Sequence, residues 1–144
     1  MRTLICAAVV SVMCLSQGCS IKQHVTPVAN HQITEIAIVQ NPKVRESYLV
    51  ALEQAVKSRG IETTIAPASA SEKDYPYAIT YTARWGWDIA LYMINTRITV
   101  YENGNPVGNA AYDSSTGSFS TRKFVNAEEK INELVGQLFP KKPD

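Results

Sequence analysis

The sequence predicts an α+β fold, a two-layer sandwich of element order β-α-β-β-β-β-α with two helices packed on one face of a single mixed sheet. Three observations predict it. Residues 77–88 alternate with period two: Tyr77, Ile79, Tyr81, Ala83, Trp85 and Trp87 share one face, and Ala78, Thr80, Thr82, Arg84, Gly86 and Asp88 the other. Two segments carry apolar residues at helical spacing, Leu49, Leu52 and Val56 in one and Ile131, Leu134, Val135 and Leu138 in the other. Short β-branched runs lie on both sides of the first of these segments.

The elements follow in chain order. Thr34 to Gln40 is short and alternating, a first strand. Asn41-Pro42 then opens a helix, with Asn41 as its cap and Pro42 at its first position. Gly60 ends that helix, after Lys57 and Arg59, which suit its negative end. Glu62 to Ile65 is the second strand, and Ala66 to Asp74 a loop. The aromatic strand from Tyr77 comes third. In the fourth, Tyr92, Ile94, Thr96, Ile98 and Val100 are expected on the core face, with Met93, Asn95, Arg97, Thr99 and Tyr101 opposite. Asn103-Gly104 is a hairpin turn leading to a fifth strand from about Pro106 to Tyr112. A polar loop, Asp113 to Thr121, precedes the last helix, where Asn126 and Glu129 have capping-box spacing and Pro140 is the stop.

The N-terminus has a different character. Arg2 is followed by an apolar run from Leu4 to Leu15, too short for the roughly 20 residues that span a bilayer, and then by Ser16-Gln17-Gly18-Cys19. This run resembles a bacterial lipoprotein signal, in which residues 1–18 are removed and Cys19 is lipidated as the first mature residue. Ser16 departs from the pattern, since leucine is the more usual residue three before the cysteine. Cys6 and Cys14 fall in the discarded segment, so the mature chain has no disulfide and rests on its core. Residues 19–32 are expected to form the lipidated cysteine and a flexible tether, of reach roughly 40 Å when stretched. Residues 33–139 form one domain and 140–144 a solvated tail. Ser20, where aspartate marks inner-membrane retention in enteric-type lipoproteins, implies an outer-membrane address; the domain is expected to face the periplasm.

Removal of the signal leaves 126 of the 144 residues, enough for one real core. It also leaves 13 basic against 13 acidic side chains. A neutral domain without a basic run argues against nucleic-acid binding. The two histidines, His24 and His31, both lie in the expected tether, so no Ser-His-Asp triad, cysteine nucleophile or transition-metal site is expected in the domain, and no cofactor. Gly104 and Gly108 read as hairpin glycines, because no strand-to-helix turn surrounds them.

The segment Arg84-Trp85-Gly86-Trp87-Asp88, with Ala90-Leu91-Tyr92-Met93, resembles a family of small proteobacterial lipoproteins of uncharacterised function. Asn41-Pro42-Lys43-Val44-Arg45-Glu46 and Asn126-Ala127-Glu128-Glu129-Lys130-Ile131 extend that resemblance over most of residues 33–139. It implies an envelope lipoprotein and imports no activity. The architecture is also similar in outline to outer-membrane assembly lipoproteins, an analogy of fold that leaves function open.

Two groups of residues are candidates for binding. Arg84, Asp88 and Arg97 share the polar sheet face by parity, either as a recognition patch or as an exposed ion pair between strands. Tyr77, Tyr81, Trp85 and Trp87 are either a stacking platform or the core face under the helices. The expectation is a membrane-anchored, non-enzymatic interaction or assembly module, held by lipid on Cys19 and engaging an envelope protein. The alternative is a small ligand binder or enzyme acting on cell-wall or lipid fragments through Asp88 and Trp87.

Overall fold

The computed structural model describes residues 21–88, 90–116 and 125–141. The signal segment, Cys19, Ser20, the Gly117 to Thr121 end of the polar loop and the last three residues lie outside the described residues. Six strands and two helices run in the order β1 (Lys22–Thr26), β2 (Glu35–Val39), α1 (Glu46–Lys57), β3 (Glu62–Ala66), β4 (Tyr77–Asp88), β5 (Ala90–Glu102), β6 (Asn105–Asp113) and α2 (Ala127–Leu138). They form one mixed sheet, ordered β1-β6-β5-β4-β2-β3, with β2 parallel to both β3 and β4 and the other pairs antiparallel. Both helices lie on one face, as the amphipathic spacing requires: Leu52, Val56, Leu134, Val135 and Leu138 are fully buried against Ile36, Ile38, Ile79, Ile98 and Val100.

One aromatic group ties α1 to the sheet. Tyr48, buried, stacks on Tyr81 with ring centroids 5.2 Å apart. Its hydroxyl bonds Thr96 Oγ1, which donates to the Thr82 carbonyl at 2.8 Å. Burial pushes the Tyr48 phenol far up from its ordinary value, so it remains a neutral donor.

Three sequence expectations change. First, the segment expected as a flexible tether contains a strand. Lys22–Thr26 pairs antiparallel with Asn109–Asp113. Beyond it Val28 is buried, and its N–H donates to the Leu138 carbonyl at 2.9 Å. A strand with one aliphatic side chain in five carries little hydrophobic signal. Its stability comes from the β6 ladder and from Gln23, whose amide donates to Glu133 on α2 at 2.8 Å.

Second, α1 begins at Glu46 rather than at Asn41-Pro42. The Asn41 side chain accepts from the Lys43 N–H and donates to the Tyr81 carbonyl, so it closes a corner against β4 instead of capping a helix.

Third, the pairing shifts by one residue between Arg84 and Trp85, opposite Ile94. A bulge flips the parity of everything beyond it. Met93 therefore joins the core, opposite Trp85, and Tyr92 sits opposite Gly86 on the other face. A Cβ at Gly86 would lie 2.8 Å from Ile94 Cδ1, so a side chain there would have to displace the end of Ile94.

Candidate interaction surface

The sheet face away from the helices is built in rows by the strand register. Lys22, Asp113, Asn95 and Arg84 form the row nearest the β4–β5 turn. His24, Ala111, Arg97 and Thr82 form the next, and Thr26, Asn109, Thr99 and Thr80 the third. Small and β-branched polar residues make up most of these rows, and Asn109 Nδ2 donates to Thr99 Oγ1 at 3.1 Å. The two long cations rise from this floor. Arg84 and Arg97 are both exposed, on adjacent strands and one pair apart in register. Such diagonal neighbours stand about 7–8 Å apart at their Cα atoms.

Arg84 shares its row with Asp113, one strand beyond Asn95, a residue that strand periodicity does not single out. The Asp113 carboxylate is held below its usual range, first by hydrogen bonds from the Ser115 hydroxyl and N–H and then by the Arg84 and Lys22 charges. Arg97 has no ion pair among the described residues. Asp113 belongs to the patch only through the β5–β6 register, which periodicity within a single strand does not reveal.

A carboxylate with a lowered folded pKa contributes its stability fully above the unfolded value of about 3.9. That contribution is lost as pH falls through the folded pKa. Asp113→Asn is therefore expected to flatten the acid limb of the melting temperature below about pH 4 and to leave the neutral range within a few degrees. Superimposable limbs would show that the charges around Asp113 are too screened to register.

The other two expected site residues lie elsewhere. Asp88 is four residues further along β4 than Arg84, about 13 Å at strand rise, and lies at the hairpin turn rather than in the arginine patch. Trp87 is 76 % exposed at the same turn. The candidate residues therefore divide into an arginine pair on the open face and an apolar hairpin tip. The aromatic platform divides as well. Tyr81 is core, and Trp85 is half-buried with the Arg45 guanidinium 5.3 Å above its ring.

The described cavities lie away from both groups. One of about 210 Å³ lies at the opposite end, lined by Val28, His31, Arg59 and Phe139, and another of about 390 Å³ lies between the helices, near Ala51 and Glu129. A third, of about 320 Å³, lies beside β2, lined by Glu35, Thr64 and Tyr77. No group of three or more metal-ligating side chains occurs among the described residues, and no described helix is long and apolar enough to cross a membrane.

No protein-family model matches the chain, and no curated protein matches its sequence. Solved structures share the fold. The PelC dodecamer from Paraburkholderia phytofirmans superposes with a TM-score of 0.50 at 14% identity, covering 86% of this chain and 99% of that one. A single-substitution form of the same dodecamer does so with a TM-score of 0.50 at 15% identity, covering 83% and 93%. A minor lipoprotein from Acinetobacter baumannii matches with a TM-score of 0.41 at 11% identity, over 76% of this chain and 97% of that one.

Proposed function

We propose that this chain is a lipid-anchored envelope protein, tethered through Cys19 to the periplasmic side of the outer membrane, that acts as a non-enzymatic interaction module and receives an envelope protein on its open sheet face. The observation that carries the reading is the pair Arg84 and Arg97, both exposed among Thr, Asn and Ala on one sheet face, with Arg97 unpaired among the described residues. Guanidinium groups fixed on a sheet suit bidentate capture of carboxylates. None of the described cavities is lined by Arg84 or Arg97, and a polar face of this kind suits a protein surface better than a small molecule, which is generally held in a concave pocket. The protruding position of Trp87 does not favour the alternative reading, a pocket built on Trp87 and Asp88.

In-cell photo-crosslinking from positions 84 and 97, read by mass spectrometry, tests the reading. One dominant envelope protein captured from both positions supports it. An adduct of this chain with itself would identify the partner as a second copy, an arrangement for which the PelC dodecamer is the precedent in this fold. No protein adduct from folded, membrane-bound protein would refute it and turn the search to glycan or lipid.

A further inference from the structure

The core-face stripe of the β4–β5 hairpin outruns the helices that cover it. Among the described residues, β4 beyond Arg84 pairs only with β5, and β5 pairs with β6 only from Asn95 onwards. Among the described residues, 85–88 and 90–93 thus form a two-stranded ribbon that extends past the other strands. Trp85 and Met93, at its base, are covered by the core and by Arg45. The next pair on the same side, Trp87 opposite Leu91, is 76 % and 44 % exposed. A tryptophan beside a leucine on a projecting tip is costly to leave in water and marks a contact surface.

The register of β1 indicates what that surface meets. Lys22, at the start of β1, stands in the same row as Asp113, Asn95 and Arg84. The chain therefore leaves the sheet towards Cys19 at the hairpin end. Lys22 lies three positions after Cys19, a reach of about 10 Å. The hairpin extends about 13 Å from Arg84 to Asp88 at strand rise. A chain leaving at Lys22 can carry Cys19 no further from the hairpin end than about the length of the hairpin itself. Pairing of β1 shortens the leash from the roughly 40 Å of a free tether, so the tip stays close to whatever surface holds the acyl chains.

We propose that the Trp87–Leu91 hairpin tip is a second membrane contact, seated in the headgroup layer of the leaflet that holds the lipid on Cys19. The proposal rests on the lipid-anchor reading above. Tryptophan favours that depth, where its ring is half apolar and its N–H remains wet. Lys22, in the row at the hairpin's base, is placed to meet anionic headgroups. Attachment at two points would set the strands steeply to the membrane and turn the Arg84–Arg97 face sideways, towards neighbours in the periplasm.

The test uses the full-length protein, extracted from its membrane and reconstituted into phosphatidylethanolamine–phosphatidylglycerol vesicles, with and without acyl chains brominated near the headgroup. Trp85→Phe leaves Trp87 as sole reporter, and Trp87→Phe in an otherwise native chain is the reciprocal variant should the first fail to fold. Loss of at least half the Trp87 emission in brominated vesicles, abolished by Trp87→Phe, is the expected result. The intact mass reports separately on the anchor. An acylated protein whose Trp87 is not quenched overturns the tip contact and leaves the anchor standing. A blue-shifted but unquenched Trp87 does the same and assigns the tip to a protein neighbour. A mature chain without acyl mass overturns the anchor, and with it the proposal.

Discussion

Tyr48→Ala is expected to destabilise the domain by about 3–5 kcal/mol, the range for deleting a large aromatic side chain from a packed core. Tyr48 is 1 % exposed, and three interactions depend on it. Its ring stacks on Tyr81, its hydroxyl bonds Thr96, and its bulk fills the space between α1 and the β4–β5 pair. Tyr48→Phe separates the terms. It keeps the stack and leaves Thr96 bonded to the Thr82 carbonyl, so only about 0.5–1.5 kcal/mol should be lost. Urea unfolding of both variants measures the difference. A Tyr48→Ala loss under about 1 kcal/mol would mean that α1 is held by its aliphatic stripe alone.

The second large effect concerns binding. Arg84→Glu combined with Arg97→Glu should abolish partner capture while leaving the melting temperature within a few degrees, because both side chains project from the sheet into solvent. Two guanidinium–carboxylate contacts replaced by like-charge repulsion should reduce captured partner by well over tenfold. Arg84→Glu also removes a cation from Asp113, so part of any small loss in stability should disappear when the fold is measured near pH 3.5. Full capture by a folded double variant would exclude the sheet face as the docking surface.

Most of the fold was legible because its elements announce themselves locally. The period-two aromatics of β4, the helical stripes of α1 and α2 and the Asn103-Gly104 turn each occupy a short window, and the structure has all of them. Three features had no such local signal. β1 is nearly all polar, and it is a strand only because β6 offers an edge and α2 offers Glu133 and Gln137 to Gln23. The Asn41 corner competes with a cap on equal terms in sequence, and the Tyr81 contacts decide between them. The bulge at Ile94 leaves the residue pattern unchanged and reverses only its meaning, moving Met93 in and Tyr92 out.

The candidate site divides along the same line. Arg84 and Arg97 were legible because strand parity alone assigns a face. Asp113 was not, since its place beside Arg84 depends on how β6 aligns with β5. Asp88 and Trp87 have the parity the sequence implies, but distance along β4 removes Asp88 from the arginine patch and carries Trp87 past the helices.

The sequence by itself determined the fold class, the two helices on one face and the polar character of the other, because periodicity encodes which way each side chain points. It also carried the lipoprotein-like signal ending at Cys19. Only the tertiary structure decided that the residues after Ile21 are part of the sheet, that Arg84 shares its row with Asp113, and that an uncovered Trp87–Leu91 pair projects beside the N-terminal exit. Those are matters of register and relative length between elements distant in the chain. Pairing free energies across strands set them, and no window of neighbouring residues contains that information.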